Sequence, residues 1–164
     1  HPQSINSGGT FNQNAICLAA VKAVCEELWT AQQCVSHNAK GDWFRTRINQ
    51  LAQQYSVPCQ ACGTGSLITL IWQPKPVVGQ CQDSDEQHQL GLVVERAVYQ
   101  CTELFWFYML LRHNILAGSP KLNYLTLPTV LTDDDYQQFL NGMEQFFTEY
   151  RDTLTLLAKE TVGC

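Results

Sequence analysis

The chain has 164 residues, of which 45% are hydrophobic and 15% are charged, and its formal net charge is −5. This length suits one domain with a substantial core, and the hydrophobic fraction is far too high for a disordered protein. No apolar run approaches the roughly 18 residues that a membrane-spanning helix needs. The ten lysines and arginines are scattered rather than gathered in a basic stripe. Neither a nucleic acid nor a membrane surface is therefore expected as a main partner.

Two helices are predicted in the first third of the chain, after a polar, glycine-containing loop at residues 1–13. Asn14 is a suitable N-cap for a helix that reaches about Trp29, and Thr30 can cap a second helix that continues to about Tyr55. The second helix has an expected core stripe formed by Val35, Ala39, Phe44, Ile48, Leu51, Ala52 and Tyr55.

A pair of strands is predicted next, at 59–62 and 66–72, with a glycine-rich turn at 63–65 between them. Residues 73–89 contain prolines, a glycine and a long polar run, which predicts a mobile loop. A third helix is expected over about 90–112, and its second half is dense in aromatic residues.

Two further short strands are predicted near 115–117 and 123–127, and the last helix follows them. Its start is marked by Thr132 and Asp135, which have the spacing of a capping box. The order of elements predicts an α+β fold, in which helices cover one face of a small, mostly antiparallel sheet. Without an internal repeat or a linker, residues 14–164 are expected to form a single domain.

The eight cysteines show no repeating interval. Cys17, Cys25 and Cys101 fall in apolar helical stretches, where a reduced cysteine acts as a small core hydrophobe. Cys59 and Cys62 form a CxxC motif, but zinc would need a second pair and a thioredoxin-type site would need a helix N-terminus. We therefore expect core thiols, no metal site and a cytoplasmic location. A disulfide framework remains an alternative, since the number of cysteines is even.

The polar loop contains Gly8-Gly9-Thr10 shortly before the first helix. Glycine N–H groups can approach a phosphate closely and the threonine hydroxyl adds a donor, although such turns often only connect elements. The histidines lack metal-ligand spacing: His37 and His88 are expected at the surface, and His113 at a helix end, where a cation is favourable. The residues alone therefore predict a globular domain with one weak phosphate-binding signal.

Five segments carry longer motifs in a fixed order. They are GGTFNQN at 8–14, the polar helix at 38–49, the strand pair at 57–66, the segment LFWFYMLLRHNILA at 104–117, and the segment LTLPTVLTDDD at 125–135.

In this order the segments resemble the C-terminal part of class III pyridoxal-phosphate-dependent aminotransferases, in particular the glutamate-1-semialdehyde 2,1-aminomutase branch. The first segment is similar to the family's Gly-Thr-x-x-x-Asn-Pro, with Ala15 in place of proline. The third is similar to its GVPV…GxGSM, with Leu67 in place of methionine. The last two are similar to its LLxRGIYLA and LSLP…LTDxDI stretches. The resemblance is collinear over about residues 7–155.

This resemblance implies the small C-terminal domain and part of a dimer interface. It implies pyridoxal 5'-phosphate as cofactor, with Gly9 and Thr10 contacting its phosphate in the neighbouring subunit's active site. The family's catalytic lysine and its pyridinium-binding aspartate lie upstream of the Gly-Gly-Thr segment. None of the lysines here is expected in an apolar pocket that would free its amine. These lysines are Lys22, Lys40, Lys75, Lys121 and Lys159.

Three hypotheses about function result. The first is a portion of an aminotransferase or aminomutase, homodimeric when complete, that moves an amino group between an amino acid or amine and a carbonyl compound. Its partner is the remainder of the polypeptide or a second subunit, and its catalytic lysine lies outside this chain. The second is a free-standing, non-catalytic relic that binds a protein partner or a phosphate ligand. The third is a secreted, cysteine-stabilised binding protein. Under the first, residues 104–111 are candidates for an interface, although ordinary core is the favoured explanation.

Overall fold

The computed structural model describes residues 14–72, 95–116 and 124–160. The chain divides into two compact units, with the boundary after His37. The loops predicted at 1–13 and 73–89 lie outside the described residues. In chain order the elements are α1 (Ala15–Ala23), a π-helical turn (Val24–Leu28), α2 (Ala31–Gln54), β1 (Cys59–Thr64), β2 (Leu67–Trp72), α3 (Glu95–His113), β3 (Tyr124–Thr126) and α4 (Asp133–Glu160).

The first unit begins with the helix start predicted from the sequence. The Asn14 side chain accepts a hydrogen bond from the Ile16 N–H at 2.9 Å, as an N-cap does. Neither α1 nor the π-helical turn buries any residue, however. The prediction of core thiols is therefore wrong for Cys17 and Cys25, which are exposed. Helical spacing predicts an apolar face, but it does not determine what packs against that face.

The α2 helix begins with a capping box that confirms the predicted cap. The Gln33 N–H donates to Thr30 Oγ1 at 3.3 Å, and the Thr30 N–H donates to Gln33 Oε1 at 3.0 Å. The predicted core stripe is wrong at Val35 and Ala39, which are exposed, because burial along this helix begins only at Gly41. The buried residues of α2 are Gly41, Phe44, Ile48 and Ala52.

The sheet has three antiparallel strands in the order β1-β2-β3. Strand β1 runs two residues further than predicted, and Thr64 pairs with Leu67. The hairpin turn is therefore Gly65-Ser66, and Gly65 has a positive φ of 54°, which favours glycine. Alternate residues of the hairpin enter the core, which fits a sheet covered on one face. They are Cys59, Ala61, Ile68, Leu70 and Trp72.

The strand predicted near 115–117 is wrong for its described residues. At the end of α3, Asn114 has a φ of 55° and its N–H donates to the Leu110 carbonyl at 3.1 Å. The Ile115 N–H then donates to the Met109 carbonyl at 3.0 Å. Because the end of the helix uses these amides, the segment terminates α3 instead of entering the sheet. The strand predicted near 123–127 is present as β3.

The core of the second unit is rich in aromatic residues and joins α2, α3 and α4 to the sheet. Phe146 of α4 has its ring centroid 6.0 Å from that of Trp72 and 5.2 Å from that of Phe105. In the aromatic segment of α3, Phe105 and Met109 are fully buried, whereas Phe107 is 52% exposed. The segment thus supplies both core and surface. The α+β prediction, with a small antiparallel sheet, is confirmed. In the described ranges, no helix is long and apolar enough to cross a membrane.

Candidate functional site

The residues predicted to contact a phosphate, Gly9 and Thr10, lie outside the described residues, so their role stays a prediction. The structure does describe the helix that follows them. It begins at Ala15, and the Asn14 side chain occupies the Ile16 N–H at its first turn. A helix start after a glycine-rich segment is the usual setting for binding an anion through backbone N–H groups.

One polar face of α2 holds the β1–β2 hairpin, and we call this set of contacts the hairpin clasp. It consists of Asn38, Asp42 and Asn49, which project toward the hairpin. Asn38 Oδ1 accepts from the Ser66 N–H at 3.3 Å, and Asp42 Oδ1 accepts from the Gly65 N–H at 3.1 Å. Asn49 exchanges two hydrogen bonds with the Ala61 backbone, at 2.7 and 2.9 Å. The clasp therefore binds protein backbone, and its polar atoms are used for positioning the hairpin.

Gly41 marks the closest approach of α2 to the hairpin turn. A Cβ at this position would overlap the carbonyl group of Gly65. Arg45 lies beside this contact and donates to Asp42 Oδ1 at 2.7 Å. Gly41, Asp42 and Arg45 belong to the polar helix predicted at 38–49, but their contacts with the turn were not predicted from the sequence.

Lys40 is a lysine of the second unit with a described side chain. Its ammonium group pairs with the Asp133 carboxylate, and it lies 4.8 Å from the ring centroid of Trp43 and 5.3 Å from that of Tyr136. These contacts tie α2 to the start of α4 through charge and cation–π attraction. In the first unit, Lys22 is exposed on α1, 4.0 Å from Glu26. These two lysines thus make contacts with carboxylates at the protein surface.

Two thiols of the second unit, Cys59 and Cys101, are buried rather than activated. Burial raises the pKa of Cys59 above its ordinary value, and it raises the pKa of Cys101 to about 11. A thiol of this kind is protonated at neutral pH and is a poor nucleophile. Cys62 lies three positions from Cys59 on strand β1, as predicted, so the two side chains point to opposite faces of the sheet.

None of the six cysteines within the described residues forms a disulfide, which counts against a disulfide framework there. These residues also contain no group of three or more His, Cys, Asp or Glu side chains that could hold a metal ion. His113 ends α3, as predicted, with its ring centroid 5.5 Å from that of Tyr108. His37 is half-buried against Trp29, and His88 lies outside the described residues.

Two tyrosines form hydrogen bonds to carboxylates of α4, and these contacts were not predicted from the sequence. The Tyr55 hydroxyl donates to Glu144 at 2.6 Å, and this bond is the main cause of a raised Tyr55 pKa. The Tyr108 hydroxyl donates to Glu149 at 3.1 Å, and its pKa is raised first by desolvation and then by this bond. Both hydroxyls are therefore held in the protonated form and link α2 and α3 to α4. Neither tyrosine therefore titrates near neutral pH.

Comparison with known proteins shows where this domain recurs. No protein-family model matches the sequence. A β-phenylalanine transaminase from Variovorax paradoxus is 28% identical over 138 residues, which cover 84% of this chain and 29% of that protein. The crystal structure of a β-phenylalanine aminotransferase from V. paradoxus matches with a TM-score of 0.70 and 25% identity, over 91% of this chain and 31% of that one.

A glutamate-1-semialdehyde aminomutase from Pseudomonas aeruginosa PAO1 shares the fold. It has a TM-score of 0.62 and 18% identity over 90% of this chain and 30% of its own. The chain therefore spans about 30% of the length of the relatives that it matches. These matches confirm the resemblance to the C-terminal domain of class III aminotransferases.

Proposed function

We propose that this chain is the C-terminal portion of a pyridoxal-phosphate-dependent aminotransferase or aminomutase. The complete protein would transfer an amino group between an amino acid or amine and a carbonyl compound. The observation that carries this proposal is the match to a transaminase over most of this chain, in sequence and in fold together. The buried core of the second unit and the hairpin clasp give the domain its shape. In this proposal the groups that react lie on the part of the protein outside this chain.

In this proposal Gly9 and Thr10 hold the cofactor's phosphate across a dimer interface. Backbone N–H groups and a hydroxyl fit a phosphate, and α1 begins five residues after Thr10. A P. aeruginosa aminomutase of the same fold is known in complex with PMP. When bound, the cofactor acts as the electron sink for amino-group transfer. The lysines that the structure describes do not fit its reacting end, since Lys40 and Lys22 contact carboxylates. In this proposal the catalytic lysine lies outside this chain, as the resemblance to the family implies.

The proposal is tested first on material from the native source, by intact mass and by absorbance after pyridoxal phosphate is added. We expect a longer chain, or a partner that copurifies, together with a visible absorbance band from the bound cofactor. A species of only the 164 residues without that band would contradict the proposal.

The role of Thr10 is then tested by substitution in the same complete protein. Thr10→Val keeps the side-chain volume and removes the hydroxyl donor, so we expect pyridoxal-phosphate affinity to fall about tenfold. Thr30→Val is the matched control, because Thr30 caps α2 through Gln33. Equal cofactor affinity in the parent and in Thr10→Val would remove Thr10 from the phosphate site.

A non-catalytic domain that binds a protein partner is the second candidate. It is favoured by large apolar side chains at the surface, such as Ile16 at 79% and Leu111 at 76% exposure. It predicts that the native protein lacks the cofactor band and copurifies with a protein that is not an aminotransferase. The third hypothesis, a cysteine-stabilised secreted protein, is opposed by the six described cysteines, none of which forms a disulfide. Eight reactive thiols under denaturation would exclude it.

A further inference from the structure

Within the described residues, β1 lies at one edge of the sheet. It is antiparallel to β2, with Ala61 opposite Leu70, and the hairpin closes with Thr64 opposite Leu67. In this register every second residue of β1, including Ala61, directs its N–H and C=O away from β2. Outward backbone groups of this kind form a template on which another strand can pair.

The Asn49 side chain bonds to the outward backbone groups of Ala61. The Ala61 N–H donates to Asn49 Oδ1 at 2.7 Å, and Asn49 Nδ2 donates to the Ala61 carbonyl at 2.9 Å. A residue on a neighbouring antiparallel strand would make the same two bonds. The neighbouring buried residues Ile48 and Ala52 fix this part of α2, so the amide is held in place. Two residues before Ala61, the Cys59 N–H donates to the Val57 carbonyl at 2.8 Å, so it is likewise unavailable to a neighbouring strand.

The sequence of β1 lacks the usual protection of an edge strand. Residues 59–64 read CQACGT and contain no lysine, no other charged residue and no proline. Its partner β2 reads LITLIW, an apolar and β-branched sequence of the kind that aggregates when it is part of an open sheet. A second copy of the chain brings the same edge, and two such edges can pair about a two-fold axis.

We propose that Asn49 acts as a side-chain substitute for a fourth strand and prevents β1 from pairing with β1 of a second copy. The amide satisfies both outward groups of Ala61 and places α2 where the incoming strand would lie. This inference does not depend on the proposed function, because every contact in it belongs to the described second unit.

The test compares Asn49→Ala with Asn38→Ala in the full chain. Both variants remove an asparagine of α2 that bonds to the hairpin, but Asn38 bonds to Ser66 in the turn and not to the strand edge. The readouts are the sedimentation mass and the hydrogen-exchange rate of the Ala61 amide, each in dilute and in concentrated solution.

In a dilute solution of the Asn49→Ala variant, we expect the hydrogen of the Ala61 amide to exchange about tenfold faster than in the parent chain. On concentration, we expect the mass to rise above that of the parent and the protection of the Ala61 amide to return. Asn38→Ala is expected to keep the mass of the parent throughout. A return of hydrogen-exchange protection at the Ala61 amide shows that the association uses this edge. Loss of stability alone would not restore that protection.

A mass for Asn49→Ala that equals that of the parent at every concentration would overturn the proposal. Association that leaves the Ala61 amide unprotected, or equal association by Asn38→Ala, would overturn it as well. If Asn49→Ala does not fold, Asn49→Leu carries the same readouts, because leucine keeps the side-chain volume and removes both hydrogen bonds.

Discussion

The two units of this chain are both rich in helix, but they differ completely in burial. From Asn14 to His37 no described residue is buried, although α1 is apolar and correctly capped. From Asn38 onward, aromatic side chains of α3 and α4 reach full burial against the sheet, as Phe105 and Phe146 do. Caps and spacing are therefore enough to form a helix, while stability requires a partner surface from a distant part of the chain.

The largest effect expected from this difference is at Phe146. Its ring meets those of Trp72, Phe105, Tyr108 and Tyr150, so Phe146→Ala should lower the free energy of unfolding by about 3–5 kcal/mol. Ile16→Ala on α1 is the matched control, and its effect should stay within about 0.5 kcal/mol because Ile16 is exposed. Urea unfolding followed by tryptophan fluorescence measures both. Similar losses in the two variants would mean that α1 is packed as tightly as α4.

A smaller effect is expected where α2 approaches the hairpin. Gly41→Ala and Gly142→Ala both replace a glycine inside a helix, which alone would stabilise each helix by about 1 kcal/mol. A Cβ at Gly41 meets the backbone of Gly65, whereas a Cβ at Gly142 meets the ends of the Met109 and His113 side chains at 3.0 Å. We therefore expect Gly41→Ala to destabilise the second unit by about 1–3 kcal/mol and Gly142→Ala to be close to neutral in urea unfolding. The reverse order would show that the hairpin turn is free to move.

The cap of α4 is expected to contribute less still. Thr132 and Asp135 bond to each other's backbone N–H groups, at 2.7 Å for Asp135 Oδ2 and 3.3 Å for Thr132 Oγ1. Thr132→Ala should therefore cost about 1 kcal/mol in urea unfolding. Thr30→Ala removes the equivalent cap of α2 in the first unit and should leave the transition of the second unit unchanged. A shift of that transition by Thr30→Ala would show that the cap of α2 also stabilises the second unit.

The same cap predicts a dependence on acid. The bonds from Thr132 lower the pKa of Asp135 below its ordinary value of 3.8. A carboxyl whose pKa is lowered in the folded state stabilises the protein at a pH above its unfolded-state pKa. This contribution is lost as the pH falls through the folded-state pKa. Stability of the parent should therefore fall toward acid more than that of Asp135→Asn. Parallel pH profiles for the two proteins would show that the Asp135 charge has no role in the cap.

The sequence was informative where the cause of a structure is local. The caps at Asn14, Thr30 and Thr132 involve residues two or three positions away, and all three are confirmed. The sequence failed where the cause is distant. Nothing near Val35 shows that core contact begins only after residue 37, and the strand predicted at Ile115 competes with a helix end that takes its N–H group.

Polar contacts between elements were missed for the same reason. Asn49 lies on the polar face of α2 beside Ile48 of the core stripe, where a polar side chain is a signal that a nearby backbone group needs a partner. The signal does not identify that partner as Ala61, which depends on the packing of α2 against β1. The phosphate site predicted at Gly9 and Thr10 lies outside the described residues, so its test is the Thr10 substitution in the complete protein.

The smallest expected effect concerns the tyrosine that links α2 to α4, and it is visible mainly in alkali. The bond to Glu144 raises the pKa of Tyr55 above its ordinary value of 10.0, since it requires the protonated hydroxyl. Because the pKa of Tyr55 is raised in the folded state, its contribution to stability is complete at a pH below the unfolded-state pKa. The contribution is lost as the pH rises through the folded-state pKa. Tyr55→Phe should therefore be less stable than the parent at neutral pH, and the two should converge in strong alkali. Tyr124→Phe is the control, because Tyr124 is exposed on β3. A gap between parent and Tyr55→Phe that persists in alkali would show that packing at Tyr55, and not its bond to Glu144, joins the two helices.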